Sequence, residues 1–96
     1  MRVLFSALAK QELDEAADYL EREFDGLGSS FRIEVKLAAE RISRHPRAWS
    51  IELGEVRKCL LHRFPYKLLY SIESDRILIL AVAHQHREPD YWIDRQ

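Results

Sequence analysis

The apolar residues change their period at Gly54, and that change fixes the class of fold open to these 96 residues. Before Gly54 they recur every three to four residues, the mark of helices with one buried stripe; after it they alternate, the mark of half-buried strands. Arg2 to Phe5 reads as a short opening strand. Ser6 is a plausible helix N-cap, because its hydroxyl can accept from an otherwise unpaired first-turn amide. Leu13, Ala16, Ala17, Leu20 and Phe24 then form one stripe on a helix from Ala7 to Phe24. Asp25-Gly26-Leu27-Gly28 breaks it. Leu27, Phe31, Val35, Ala38 and Ile42 form a second stripe, and Pro46 stops that helix near Arg44. The short connection makes the pair a helical hairpin. Arg47 to Gly54 reads as a loop, with Trp49 as a packing anchor because a large ring gains most from burial.

After Gly54, Val56 to Arg63 is expected as a strand, Phe64-Pro65 as a turn, Tyr66 to Glu73 as a second strand, and Arg76 to His84 as a third. Connections this short force antiparallel neighbours. In the middle strand Tyr66, Leu68, Tyr70 and Ile72 share one face, and Lys67, Leu69, Ser71 and Glu73 share the other. The helices are expected on the more apolar face, leaving the other available. The fold class is therefore α+β, a β-α-α-β-β-β two-layer sandwich with a helical hairpin packed on a mainly antiparallel sheet. The whole chain, 1–96, is expected to be a single domain. At this size a partner adds useful burial.

Hydrophobic residues are 47% of the chain and charged residues 32%, a globular balance that excludes a mainly disordered chain. The net charge of −1 excludes a globally basic nucleic-acid binder. That total hides segregation: Lys10 to Asp25 carries seven acids against two bases, Gly26 to Arg47 five bases against two acids, and Glu55 to Lys67 four bases against one acid. Two oppositely charged helices that attract when packed would account for part of it. The single cysteine, Cys59, excludes an internal disulfide and fits a reducing cytoplasm, the expected location. No stretch is apolar for long enough to span a membrane, so none is expected as a partner. Val3 to Ala9 has a small-x-small ending, but the apolar run is short and Lys10 closes it, so it reads as the start of the fold.

Gly26-Leu27-Gly28 lacks the other glycines and the lysine of a phosphate loop and reads as a turn. Cys59 sits within a strand, where a buried small apolar residue is the default. Ser6, Ser29 and Ser30 lack a nucleophile-elbow setting. His84 and His86 point the same way in an extended strand and could share a metal, yet two ligands are too few for a closed zinc site, so no metal and no cofactor are expected. His45 reads as a helix-end residue. The best candidate surface is the basic strand pair. Arg57 and Arg63 share one face, Lys58 and His62 the other, Lys67 lies on the next strand, and Arg87 and Tyr91 lie beyond the third. Such a surface could hold phosphates and stack a base, meet an acidic or amphipathic peptide, or simply be solvated.

The run Arg63-Phe64-Pro65-Tyr66-Lys67-Leu68-Leu69-Tyr70, followed by the strand Ile77 to Ala83 and then His84-Gln85-His86-Arg87-Glu88-Pro89-Asp90-Tyr91-Trp92, resembles the RelE/ParE toxin superfamily of type II toxin–antitoxin systems. Its ParE-like branch, often called plasmid-stabilisation proteins, is the nearer match. The Gly-Leu-Gly turn and Arg41-Ile42 with His45-Pro46 are similar to that branch, so the resemblance covers nearly the whole chain.

The resemblance implies a growth-inhibiting toxin neutralised by a cognate antitoxin in a tight complex. ParE-like members poison DNA gyrase; RelE-like members cut mRNA on the ribosome with lysines, arginines and a tail tyrosine. Carried onto this chain, Lys58, Lys67 and Tyr91 match basic and tyrosine positions of the nuclease pattern. Leu60 stands where a second strand lysine is expected, and Gln85 near an expected arginine, with Arg87 two residues on. A leucine cannot stabilise a developing phosphate charge, so the nuclease set is incomplete and a binding toxin is favoured. His62, His84 and His86 are the alternative proton carriers. The candidate target contacts are Arg57, Arg63, Lys67, His86, Arg87, Tyr91 and Trp92. Whether the chain is an enzyme stays open at this point. The alternatives to a gyrase-binding toxin are a ribosome-dependent endoribonuclease and a non-toxic interaction domain. Operator DNA is expected to be reached only through the antitoxin.

Overall fold

A computed structural model describes residues 1–88 and 90–95. Strand β1 (Arg2–Phe5) leads into helices α1 (Ala7–Glu23) and α2 (Leu27–Arg44). Strands β2 (Ile51–Leu53), β3 (Val56–Leu60), β4 (Tyr66–Ile72) and β5 (Arg76–His84) follow, then a short 3-10 turn at Ile93–Arg95. The five strands form one sheet in the order β1-β5-β4-β3-β2. β1 pairs parallel to β5, and every other pairing is antiparallel. The fold is the expected α+β sandwich with one strand more. Residues 51–53 lie in the expected loop, and they pair with β3 through Ile51↔Arg57 and Leu53↔Val56. Three residues are too few to show a period of two, and tertiary pairing made them a strand.

The helix ends follow from their caps. Ser6 Oγ accepts from the Ala9 amide at 3.1 Å, which satisfies one of the free donors of the first turn of α1. Gly26 starts α2 at a φ of +87°, a backbone region that favours glycine. The Glu21 carboxylate accepts from the amides of Gly26 at 2.8 Å and Gly28 at 2.9 Å, and these bonds hold its pKa below the ordinary value. A Cβ on Gly28 would stand 2.5 Å from the Ala17 carbonyl oxygen, so this glycine lets the helices approach closely. Between the helices one ion pair forms, Arg32 to Asp14 at 2.9 Å, and both side chains are largely exposed. An exposed pair contributes about 0–1 kcal/mol, so apolar burial and not charge holds the hairpin.

The main core lies between helices and sheet. It joins Ala16, Ala17, Phe31, Val35, Ala38 and Ile42 to Cys59, Leu68, Tyr70, Ile77, Ile79 and Val82. Phe24, expected in the α1 stripe, is instead the extended residue after the helix and is 72% exposed. A second cluster sits on the opposite sheet face, where Val56, Leu69, Leu80, Ala81 and Trp92 are buried together. The face expected to be open is thus partly covered by the chain's own tail. A register shift in the β4–β5 ladder between Leu69 and Tyr70 lets Leu80 and Ala81 both join that cluster.

Candidate functional site

Lys58 and Leu60 of β3 lie on the second face beside Leu69 and Lys67 of β4, as the pairs Lys58↔Leu69 and Leu60↔Lys67 require. Between the two lysines stands Glu52 of β2. Its carboxylate lies 3.4 Å from Lys58 Nζ and 3.4 Å from Lys67 Nζ, and the Glu52 and Lys67 side chains are each only 10% exposed. The Lys67–Glu52 pair is thus largely desolvated, where ion pairing is least screened, whereas the Lys58 side chain stays 38% exposed and its pairing is weakened by water. Beside them a cleft of about 420 Å³ is lined by Trp49, Lys58, Leu60, His62 and Gln85 among others.

The expected pairing of Arg57 with Arg63 on one strand face is corrected by the structure, because β3 ends at Leu60. Arg57 Nη1 donates to the carbonyls of Trp49 at 2.7 Å and Arg47 at 3.3 Å, and so pins the segment before β2. Tyr70 Oη donates to the Pro46 carbonyl at 2.6 Å in the same region, and burial pushes its pKa up to about 12. Arg63 Nε donates to Glu34 Oε1 at 3.1 Å, while Glu34 Oε2 accepts from the amides of His62 at 2.6 Å and Arg63 at 3.1 Å. Burial pushes the Glu34 carboxyl up, but these donors outweigh it and leave it below its ordinary value. Glu34 of α2 thus holds the β3–β4 connection in place.

The tail is held by a third carboxylate. Glu12 of α1 accepts from Tyr91 Oη at 2.9 Å, from both terminal nitrogens of Arg95 at 2.8 and 3.1 Å, and from the Val82 amide at 3.0 Å. β1 pairs with β5 only as far as Ile79, so Val82 lies on an edge that β1 leaves bare. Glu12 supplies its acceptor, and Arg95 Nη1 donates to the Leu80 carbonyl at 3.1 Å. Arg87 and Arg95 lie over the Tyr91 ring, at 4.1 and 4.9 Å from its centroid. Burial, then the Glu12 bond and charge, push the Tyr91 phenol well above its ordinary value. Trp92 is 1% exposed inside the second cluster, so its ring is a packing element and not a presented contact.

His84 and His86 remain exposed, with ring centroids 5.5 Å apart and the His86 amide donating to His84 Nδ1 at 3.2 Å. Among the described residues no third His, Cys, Asp or Glu joins them in a metal-sized group. Cys59 is fully buried; desolvation pushes its thiol up while the Arg41 guanidinium pulls the other way. Pro89 of the tail motif lies outside the described residues.

The structure thus brings the expected residues together in separate groups: Lys58 with Lys67, Arg87 with Tyr91, and His84 with His86. Sequence reasoning missed Glu12, Glu34, Glu52 and Arg95. Glu12 sits among seven acids of one segment and nothing local sets it apart.

A model of the family described as ParE toxin of type II toxin-antitoxin system, parDE, matches residues 3–89. No curated protein matches the chain in sequence. Among solved structures, one described as "Chromosomal ParDE TA system from P. aeruginosa" superposes with a TM-score of 0.72 at 17% identity, covering 88% of this chain and 95% of that one. At that identity the likeness speaks for the fold. No helix among the described residues is long and apolar enough to cross a membrane.

Proposed function

From the premise that this chain belongs to the ParE toxin family of type II toxin–antitoxin systems, we propose that it inhibits growth by binding DNA gyrase in the cytoplasm and is neutralised by a cognate antitoxin. The observation that carries the binding mode is the commitment of the nuclease candidates to internal bonds. Lys58 and Lys67 share Glu52, and Tyr91 donates to Glu12 with its phenol raised. Cleavage of RNA needs a group that gives or takes a proton near working pH and free charges aimed at the phosphate. Leucine at position 60 adds neither.

The proposed gyrase contacts are Arg63, His86 and Arg87, the exposed residues among the expected contacts; Lys67 and Tyr91 are held by Glu52 and Glu12. Arg57 and Trp92 are turned to internal partners, Arg57 to the Trp49 carbonyl and Trp92 to the second cluster. The antitoxin would use apolar surface elsewhere. Ile33 and Leu37 stand 59% and 47% exposed one turn apart on α2, and Ile51 and Leu53 of the edge strand β2 are 56% and 51% exposed. An amphipathic helix fits the first and an added strand the second. Operator DNA would be met by the antitoxin, since this chain's net charge is −1.

The test is supercoiling by purified gyrase with excess chain, alongside growth after induction with and without the neighbouring gene. Inhibition relieved by the neighbour is the expected result; normal supercoiling sinks the gyrase assignment. The second reading, a ribosome-dependent nuclease, draws on Lys58 and His62 lining one cleft. Primer extension showing in-frame mRNA cuts that Lys58→Ala abolishes would replace the first.

A further inference from the structure

The cleft of about 420 Å³ beside β3 is built by the segment before β2, by β3 with the residues after it, and by Gln85. Hydrogen bonds tie down each of these stretches. The Lys58 amide donates to the Ser50 carbonyl at 2.9 Å, and the Trp49 carbonyl accepts from Arg57 at 2.7 Å. The His62 amide donates to Glu34 at 2.6 Å, and the Gln85 amide to the Pro65 carbonyl at 2.8 Å. The cleft is thus a fixed feature of the fold. Its lining joins the Lys58 ammonium to the polar side chains of Ser50, His62 and Gln85 and to apolar wall from Trp49 and Leu60. Among the described residues no acid lines it.

The acid that meets Lys58 is Glu52, and it is shared. Its one carboxylate stands 3.4 Å from each of two ammonium groups, so the trio keeps a surplus of one positive charge. Lys67 is 10% exposed and Lys58 38%, so a solute can reach that surplus at Lys58. An incoming cation would be repelled by it. A purely apolar side chain would strip water from Lys58 without replacing its bonds. A single carboxylate balances the charge. The surroundings favour a carboxylate carried by a polypeptide over a nucleic-acid phosphate. Leu60 is 49% exposed in the lining, and Ile51, which follows Ser50, is 56% exposed. Such surface gains by covering with apolar side chains beside the acid, and offers a sugar–phosphate chain neither charge nor donor. We propose that this cleft receives a glutamate or aspartate side chain from an acidic and apolar segment of a partner protein, with Lys58 as its counter-charge. The inference does not rest on the toxin reading: its readout is binding by the isolated chain, whether or not gyrase is the target. A nuclease would place a phosphate in the same cleft, and the phosphate arm of the test separates the two.

The test is an NMR titration of the full chain, 15N-labelled, with acetyl-Leu-Glu-Leu-amide. Acetyl-Leu-Gln-Leu-amide and inorganic phosphate are titrated separately. The expected result is displacement of the Ser50, Lys58, His62 and Gln85 amides by the glutamate peptide, with the glutamine peptide binding more weakly. Lys58→Gln should weaken binding of the glutamate peptide by up to about fivefold, the range for a partly exposed ion pair. Lys58→Arg should retain it, and Lys36→Gln, at an exposed lysine of α2, should leave it unchanged. No displacement at millimolar glutamate peptide overturns the proposal. So does equal binding of the glutamine peptide, equal loss in Lys58→Gln and Lys36→Gln, or displacement of the same amides by phosphate at lower concentration than by the glutamate peptide.

Discussion

Replacing Glu12 with alanine should release the tail from the sheet. The side chain accepts four bonds, from the Val82 amide, the Tyr91 hydroxyl and both terminal nitrogens of Arg95. Its side chain is 18% exposed and that of Arg95 16%, so water restores little of what is lost. A hydrogen bond to a charged group contributes about 1.5–3 kcal/mol, and bonds sharing one carboxylate do not add. Removing one partner of a fully buried pair costs about 3–5 kcal/mol. For this partly buried hub the attachment should weaken by about 2–4 kcal/mol. At about 1.4 kcal/mol per factor of ten, the tail-open population rises about 30- to 1,000-fold. Two observables read it. Native-state hydrogen exchange at the Val82 amide should quicken by that factor, and Trp92 emission, recorded in a Trp49→Phe background, should move to the red as its ring meets water. Arg95→Ala should give part of the effect, and the double variant less than the sum of the singles. Exchange at Val82 and Trp92 emission both unchanged in Glu12→Ala would refute the carboxylate's role as the tail's anchor.

Glu34 ties stability to pH. Its carboxyl binds a proton less readily in the folded chain than in the unfolded one, so its contribution is complete above the unfolded value, about 4.3, and is lost as pH falls through the lower folded value. Urea midpoints of Glu34→Gln should therefore fall less steeply below that pH than those of the parent, and equal slopes would exclude Glu34 as a source. Gly28→Ala should destabilise by about 1–3 kcal/mol in urea, since its Cβ would press 2.5 Å from the Ala17 carbonyl oxygen. Arg41 Nε and Nη2 are buried without a hydrogen-bond partner. Arg41→Met keeps the apolar stem and removes two unpartnered donors, at the expense of the contact with the Cys59 thiol, so thermal unfolding should show a gain of no more than about 1–3 kcal/mol; a marked loss would refute this reading.

Much of the fold was legible because its signals are local. A stripe such as Phe31, Val35, Ala38 and Ile42 needs only its own helix to declare a buried face, and all four are buried. Ser6 marks the start of α1 through its side-chain cap, and the Gly26 turn marks the break between the helices, both local chemistry that no distant residue overrides cheaply. β2 failed the same test, because a three-residue strand exists only by virtue of its pairing with β3. The surface was less legible, for the same reason turned round. Lys67, Arg63 and Tyr91 read as free functional groups in the sequence, although each meets an acid remote along the chain. Lys67 is 15 residues from Glu52, Arg63 is 29 from Glu34, and Tyr91 is 79 from Glu12. A base or phenol carries no local mark of whether an acid will arrive beside it, yet that arrival decides whether its charge is available to a substrate. In this chain Glu52 fastens an edge strand, Glu34 ties the β3–β4 connection to α2, and Glu12 ties the tail to α1. The bases and the phenol that the sequence marks as available are the groups these acids hold in place.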